Sequence, residues 1–196
     1  MKIIAIKEDI THLKVDAIVN ASNEDLEPGS GVDGAIHEAA GPKLYVACKK
    51  LDGCPTGQAV ITKGYDLPAK WVIHTAGPII WDGAVTDKER GLLAKCYQAC
   101  LMKAKENCLK TIAFPAISAG AFGFPREEAA GIAYSAIESF LETVPSLIEI
   151  VYLVAFDDVT LQIYKALLGG NQEAKINSLK EKKSDQFSLG KLIHGQ

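Results

Sequence analysis

Two glycine-punctuated loops hold the residues of this chain best suited to chemistry on a charged ligand. The first is Asn20-Ala21-Ser22-Asn23, followed by Gly29-Ser30-Gly31-Val32-Asp33-Gly34-Ala35-Ile36-His37. The second is Phe114-Pro115-Ala116-Ile117-Ser118-Ala119-Gly120-Ala121-Phe122-Gly123-Phe124-Pro125. Each runs from a strand-like apolar segment into a helical pattern. A glycine loop at a helix N-terminus presents unpaired backbone N–H groups beside the positive end of the helix dipole, which suits a phosphate. Two such loops in one small domain point to a ligand with more than one phosphate, or to a diphosphate clamped between them.

The polar residues of the first loop have two readings. Asn20 and Asn23 follow a buried strand, where carboxamides both donate to and accept from ligand hydroxyls, or they tie down a long loop. Asp33, just past the glycines, is stabilised as an anion by the helix dipole and can accept from sugar hydroxyls or hold a water, or it is a helix cap. In the second loop small residues let the backbone approach a diphosphate, and Phe122 and Phe124 either cover a ribose or plug the core. His37 lies one helical turn past Asp33 and shares its face; His74, at a strand end, reads as a packed, hydrogen-bonded histidine. Histidines and acids at metal-ligand spacing are missing, as is a G-x-S-x-G elbow, so chemistry without metal, cofactor or covalent serine or cysteine is expected.

Gly29-Ser30-Gly31-Val32-Asp33-Gly34 is also a literal G-x-G-x-x-G, with Asp52 downstream. The context does not fit a dinucleotide fold. There the first glycine follows its strand directly, whereas Ala21 to Pro28 intervene here.

Short, β-branched runs bounded by turn residues predict strands at Ile3–Ile6, Val15–Val19, Ala59–Thr62, Trp71–His74, Thr111–Phe114 and Ile148–Phe156. Helical periodicity predicts helices at Val32–Ala40, Lys43–Leu51, from a Thr86-x-x-Glu89 capping box through Ala104, from Pro125 through Leu141, and at Asp158–Leu168. The strands are apolar on both faces, as in a sheet covered by helices on each side. The expected fold is α/β, a three-layer α/β/α sandwich with a mixed, mainly parallel sheet of about six strands.

At 196 residues, 48% apolar and 23% charged, the chain reads as one globular domain over 1–170. Residues 171–196 carry five lysines against three acidic residues and read as a loosely ordered polar tail. A net charge of −3 disfavours a nucleic-acid clamp. No run approaches the roughly 18 apolar residues of a membrane span, and no signal peptide is seen. Five cysteines without C-x-x-C spacing suit buried thiols in a reducing cytoplasm.

Val15–Asn23, Gly31–Pro42 and Phe114–Pro125, linked by Cys54-Pro55-Thr56-Gly57-Gln58-Ala59 and Val72-Ile73-His74-Thr75-Ala76-Gly77-Pro78, resemble the macrodomain family, specifically its MacroD-type branch. The similarity covers about residues 1–169. The resemblance implies an ADP-ribose pocket and hydrolysis of O-acetyl-ADP-ribose and of mono-ADP-ribose esters on acidic protein side chains. Partners would be those molecules rather than nucleic acid or membrane, with the chain a monomer.

Carried over residue by residue, Asp9 would accept from the adenine amino group with the Ile10 backbone beside it, and Phe156 would lie against the adenine. Gly31, Val32, Ser118, Ala119, Gly120, Ala121 and Phe122 would hold the diphosphate through backbone N–H groups. Asn20, Asn23 and Asp33 would surround the distal ribose, oriented by Phe122. Catalysis would fall to Asn23 and Asp33: a water near Asp33 attacks the ester carbon or the anomeric carbon, while Asn23 holds the ribose hydroxyls. Two departures stand out. The family's four glycines read Pro28-Gly29-Ser30-Gly31 after Glu27, and its Asn-Ala-Ala-Asn reads Asn20-Ala21-Ser22-Asn23. Pro28 removes an N–H donor, Ser30 limits positive φ, and Glu27 adds an anion near a phosphate site. A non-catalytic ADP-ribose reader is the alternative these changes suggest.

Overall fold

Ala17, Ile18 and Val19 are wholly buried in succession, which only a strand covered on both faces permits. They open β2 (Ala17–Ser22), the middle of a sheet built with β1 (Lys2–Lys7), β3 (Val60–Lys63), β4 (Trp71–Ala76), β5 (Thr111–Phe114) and β6 (Ile150–Ala155). The computed structural model describes residues 2–81 and 83–170, so the expected polar tail lies outside the described residues. Strand order is β1-β6-β5-β2-β4-β3. All neighbours pair in parallel except β3, an antiparallel edge strand on β4.

Helices cover both faces. On one, α1 (Gly31–Ala40) and α2 (Pro42–Cys48) press Ile36, Leu44 and Cys48 against Ile18 and Val72. On the other, α3 (Asp87–Glu106), α4 (Arg126–Thr143) and α5 (158–170) bring Leu93, Tyr97, Ile137 and Tyr164 onto Val19, Ile73 and Val151. Burying each such side chain contributes about 1.5–3 kcal/mol, so these two layers, not the loops, fix the framework. The Thr86/Glu89 capping box forms as expected at the start of α3.

Element boundaries differ from the sequence reading in three places that matter. β2 runs through Asn20 to Ser22, so both are strand residues rather than loop residues. A buried polar strand position is tolerable because the Asn20 amide finds partners in Asp33 of the covering helix and His74 of the neighbouring strand. α2 ends at Cys48, three residues short of Leu51. β6 stops at Ala155, which puts Phe156 on the bend before α5, 89% exposed.

At the amino ends of the strands, Asp16 ties three of them together. Its carboxylate accepts from Lys110 N at 3.0 Å, Thr111 N at 3.1 Å and Lys70 Nζ at 3.0 Å. Its own N–H donates to Thr111 Oγ1 at 2.8 Å. At the carboxyl ends the chain diverges. From β2 it continues towards β4, and from the adjacent β5 it continues towards β6. Such a divergence opens a crevice beyond the strand ends, the usual ligand position in parallel sheets. Both glycine loops lie there.

Candidate functional site

A buried polar chain underlies the first loop. Asn20 Nδ2 donates to Asp33 Oδ1 at 2.6 Å and lies 3.2 Å from His74 Nδ1. Because Asp33 only accepts, the Asn20 atom facing it is the nitrogen. His74 Nδ1 is therefore the acceptor, and Nε2–H donates to Thr62 Oγ1 at 2.8 Å. Burial, reinforced by the charge of His37, pushes the His74 imidazole down to about 3, so it stays neutral. At the other end, Gly29 N donates to Asp33 Oδ2 at 2.5 Å, and His37 Nε2 sits 3.7 Å from Asp33 Oδ1. Asp33 thus joins the glycine loop to the sheet. Asn20 Oδ1 is buried without a partner among the described residues.

Asn23 clamps its own loop. Its Nδ2 donates to Glu27 O at 2.7 Å, and its Oδ1 accepts from Glu27 N at 3.0 Å. The Glu27 carboxylate is paired with Lys49 and bonded to Tyr45, and these contacts, Lys49 foremost, hold it below the usual carboxylate range. The extra anion expected beside the phosphate loop is accordingly matched by a cation. No local spacing links positions 27 and 49, which is why the sequence did not reveal the pair. Ser30 occupies the N-cap of α1 but makes no side-chain cap, so the N–H groups of Gly31 and Val32 stay unclaimed. Gly31 has φ +63, which a side chain would resist.

The second loop is folded on itself. Ser118 adopts φ +63 and its carbonyl accepts from Phe124 N at 3.0 Å, while Gly123 N donates to Gly120 O at 3.0 Å. Left-handed backbone at a serine costs on the order of 1 kcal/mol, a strain typical of loops shaped around a ligand. The N–H groups of Ser118, Gly120, Ala121 and Phe122 have no acceptor among the described hydrogen bonds. Ala119 differs from the expected set: its N–H closes a turn on Ala116 O at 3.2 Å. Phe124 is a core residue, whereas Phe122 is half-buried at the rim and its carbonyl accepts from Ile80 N at 2.8 Å. Gly77, ending the β4 segment, faces Ser118 Oγ and lies so close to Ile117 that a Cβ would meet its Cγ2 at 2.7 Å.

Asp9 stands beyond β1 and Phe156 beyond β6, neighbours in the sheet. Asp9 Oδ1 caps a 3-10 turn (Ile10–His12), accepting from Thr11 N at 2.9 Å and Thr11 Oγ1 at 2.7 Å. The Thr11 hydroxyl, working against burial, keeps the Asp9 carboxyl low, and Oδ2 remains outside those bonds. Along the carboxyl edge the expected residues therefore follow the strand order. Asp9 and Phe156 lie at β1 and β6, the second glycine loop at β5, and Asn23 with the first glycine loop at β2. The three strand spacings between β1 and β2 span ~14 Å.

Known proteins resemble this chain over most of the described residues. The Macro domain family model matches residues 19–133. The ADP-ribose glycohydrolase MACROD2 of Xenopus laevis is 51% identical over 162 residues, covering 83% of this chain and 38% of that longer protein. The O-acetyl-ADP-ribose deacetylase of Salmonella gallinarum is 49% identical over 167 residues, covering 83% of this chain and 92% of that one. A variant of the Oceanobacillus iheyensis macrodomain solved with ADPR superposes at TM-score 0.81 and 40% identity, covering 86% of this chain and 92% of that one. With more than half of its length matched by the family model, the chain belongs to the Macro domain family.

Proposed function

We propose that this protein binds ADP-ribose along the carboxyl edge of its sheet and hydrolyses acyl esters of it. The substrates are O-acetyl-ADP-ribose and mono-ADP-ribose on acidic protein side chains. The observation that carries the reading is the buried Gly29–Asp33–Asn20–His74 chain lying between two loops of unclaimed N–H groups. Relatives named for these activities support it.

In ester hydrolysis the water oxygen bonds to the acyl carbon and the ribose oxygen leaves with a proton. A carboxylate and a proton are released. Gly31, Val32, Ser118, Gly120, Ala121 and Phe122 supply backbone donors for the diphosphate, with Ala119 shaping the turn. Asp9 and the Ile10 backbone take the adenine, covered by Phe156. Asn23 keeps one N–H and one lone pair beyond those joined to Glu27, enough to hold a ribose hydroxyl. Asp33, pinned by Gly29 and Asn20, retains a further lone pair on each oxygen to orient the attacking water. Asn20, enclosed behind Asp33, acts on the ribose through it. Positioning and the anion-stabilising loops supply most of the acceleration.

The protein works as a monomer in the cytoplasm, where its five unpaired thiols remain reduced. Among the described residues no helix is long and apolar enough to cross a membrane. The engagement of Asn23 and Asp33 within the protein favours a second reading, a reader that binds without turnover. Incubation with O-acetyl-ADP-ribose and a mono-ADP-ribosylated protein separates the two. Enzyme-dependent loss of the acyl bond supports the hydrolase; tight calorimetric binding with no turnover supports the reader.

A further inference from the structure

Beyond β2 and β4, one strand further along the carboxyl edge than the expected diphosphate site, lies a cavity of about 330 Å³. Ala76, Gly77, Asn23 and Phe122 line it. One wall is acidic. Glu24 is fixed by Thr56, whose N and Oγ1 both donate to Oε1 at 2.7 Å, which leaves Oε2 outside those bonds. Asp25 stands beside it, and no ion pair among the described residues engages either carboxylate. Ile79 and Trp81, 39% and 83% exposed, also line it. An indole so exposed has no role in the core and no cation lines the cavity with it.

We propose that this cavity receives the acceptor side of the ester, the modified side chain with its flanking peptide, and that it selects cationic neighbours. The inference rests on the hydrolase reading for its placement, since Asn23 and Phe122 border both the distal ribose and the cavity. A lysine or arginine next to the modified residue stacks on the Trp81 face while Asp25 and Glu24 offset its charge. Acidic flanks are repelled by the same two carboxylates. The ester enters neutral, and hydrolysis turns it into a carboxylate facing that wall, so the charge that selects the substrate also expels the product. O-acetyl-ADP-ribose, whose acyl carbon carries only a methyl group, does not reach the indole.

The test uses two peptides of equal length, each with one mono-ADP-ribosylated glutamate, flanked by lysines in one and glutamates in the other. Wild-type protein should give a kcat/KM roughly three- to ten-fold higher for the lysine peptide at low ionic strength, falling as salt screens the wall. Trp81→Ala and Asp25→Asn should each remove most of that preference while turnover of O-acetyl-ADP-ribose stays unchanged. Displacement of a fluorescent ADP-ribose by the same peptides reads the preference without turnover. Equal displacement by the two peptides, or equal turnover where both are hydrolysed, overturns the inference. A binding preference with no hydrolysis of any ester supports it and overturns the hydrolase reading instead.

Discussion

Asn20, fully buried, donates its amide to the nearly buried Asp33 at 2.6 Å. The bond does two things at once. It gives a buried carboxylate a partner, and through the Gly29 contact it sets the height of the glycine loop above the sheet. A hydrogen bond to a charged group is worth about 1.5–3 kcal/mol. Asn20→Ala is expected to lower stability by about that amount and kcat by roughly 100-fold through misplacement of Asp33. ADP-ribose affinity, which rests on backbone donors, should change far less. Asp33→Ala should abolish turnover and leave measurable binding. Denaturant unfolding, single-turnover kinetics and calorimetry on the two variants check the pattern.

His74 makes the fold sensitive to mild acid. Its imidazole is held neutral, down to about 3 from 6.5, so below pH 6.5 the unfolded chain binds a proton that the folded chain refuses. Stability is therefore full above 6.5 and declines as pH falls, by about 2 kcal/mol between pH 7 and 5. His74→Gln, which keeps a polar group between Asn20 and Thr62, should flatten the slope between pH 7 and 5. Equilibrium urea unfolding across that range reads it directly.

The close approach of Gly77 to Ser118 and Ile117 sets how near the β4 and β5 loops can lie. Gly77→Ala places a methyl group where Ser118 Oγ and Ile117 Cγ2 already stand, costing about 1–3 kcal/mol and pushing the second glycine loop outward. The expected result is a loss of ADP-ribose affinity of ten-fold or more, measured by calorimetry. Adding Ser118→Ala should restore part of it.

Lys49 neutralises Glu27 at the edge of the first glycine loop. Lys49→Ala should weaken ADP-ribose binding roughly two- to five-fold at low salt, with little effect on melting temperature, because the pair is exposed. Glu27→Gln in the same background should return the affinity. Salt titrations of the three proteins provide the measurement.

The sheet was legible because Val15–Val19, Trp71–His74 and Thr111–Phe114 announce strands covered on both faces, and the observed β2, β4 and β5 overlap them. The helix after Pro125 and the Thr86 box were local signals and held. Asn20 inside β2 was not legible, because a carboxamide ends an apolar run by composition. What keeps it in the strand is His74, fifty-four positions away, and Asp33, thirteen away. The Glu27–Lys49 pair escaped for the same reason: it depends on how the chain returns to itself. His74 read correctly as a packed histidine, but its link to Asp33 required the sheet register that sets it opposite Asn20.

The Asp16 ligature sits at the amino rim of the sheet, opposite the proposed ligand edge, joining the β2 start to Lys70, Lys110 and Thr111. Strand alignment is thereby decided at one end, while the proposed recognition falls at the other. Segments at that other end are free to be rewritten without unfastening the framework, and a loop reading Pro28-Gly29-Ser30-Gly31, where the family resemblance implies four glycines, is one such revision.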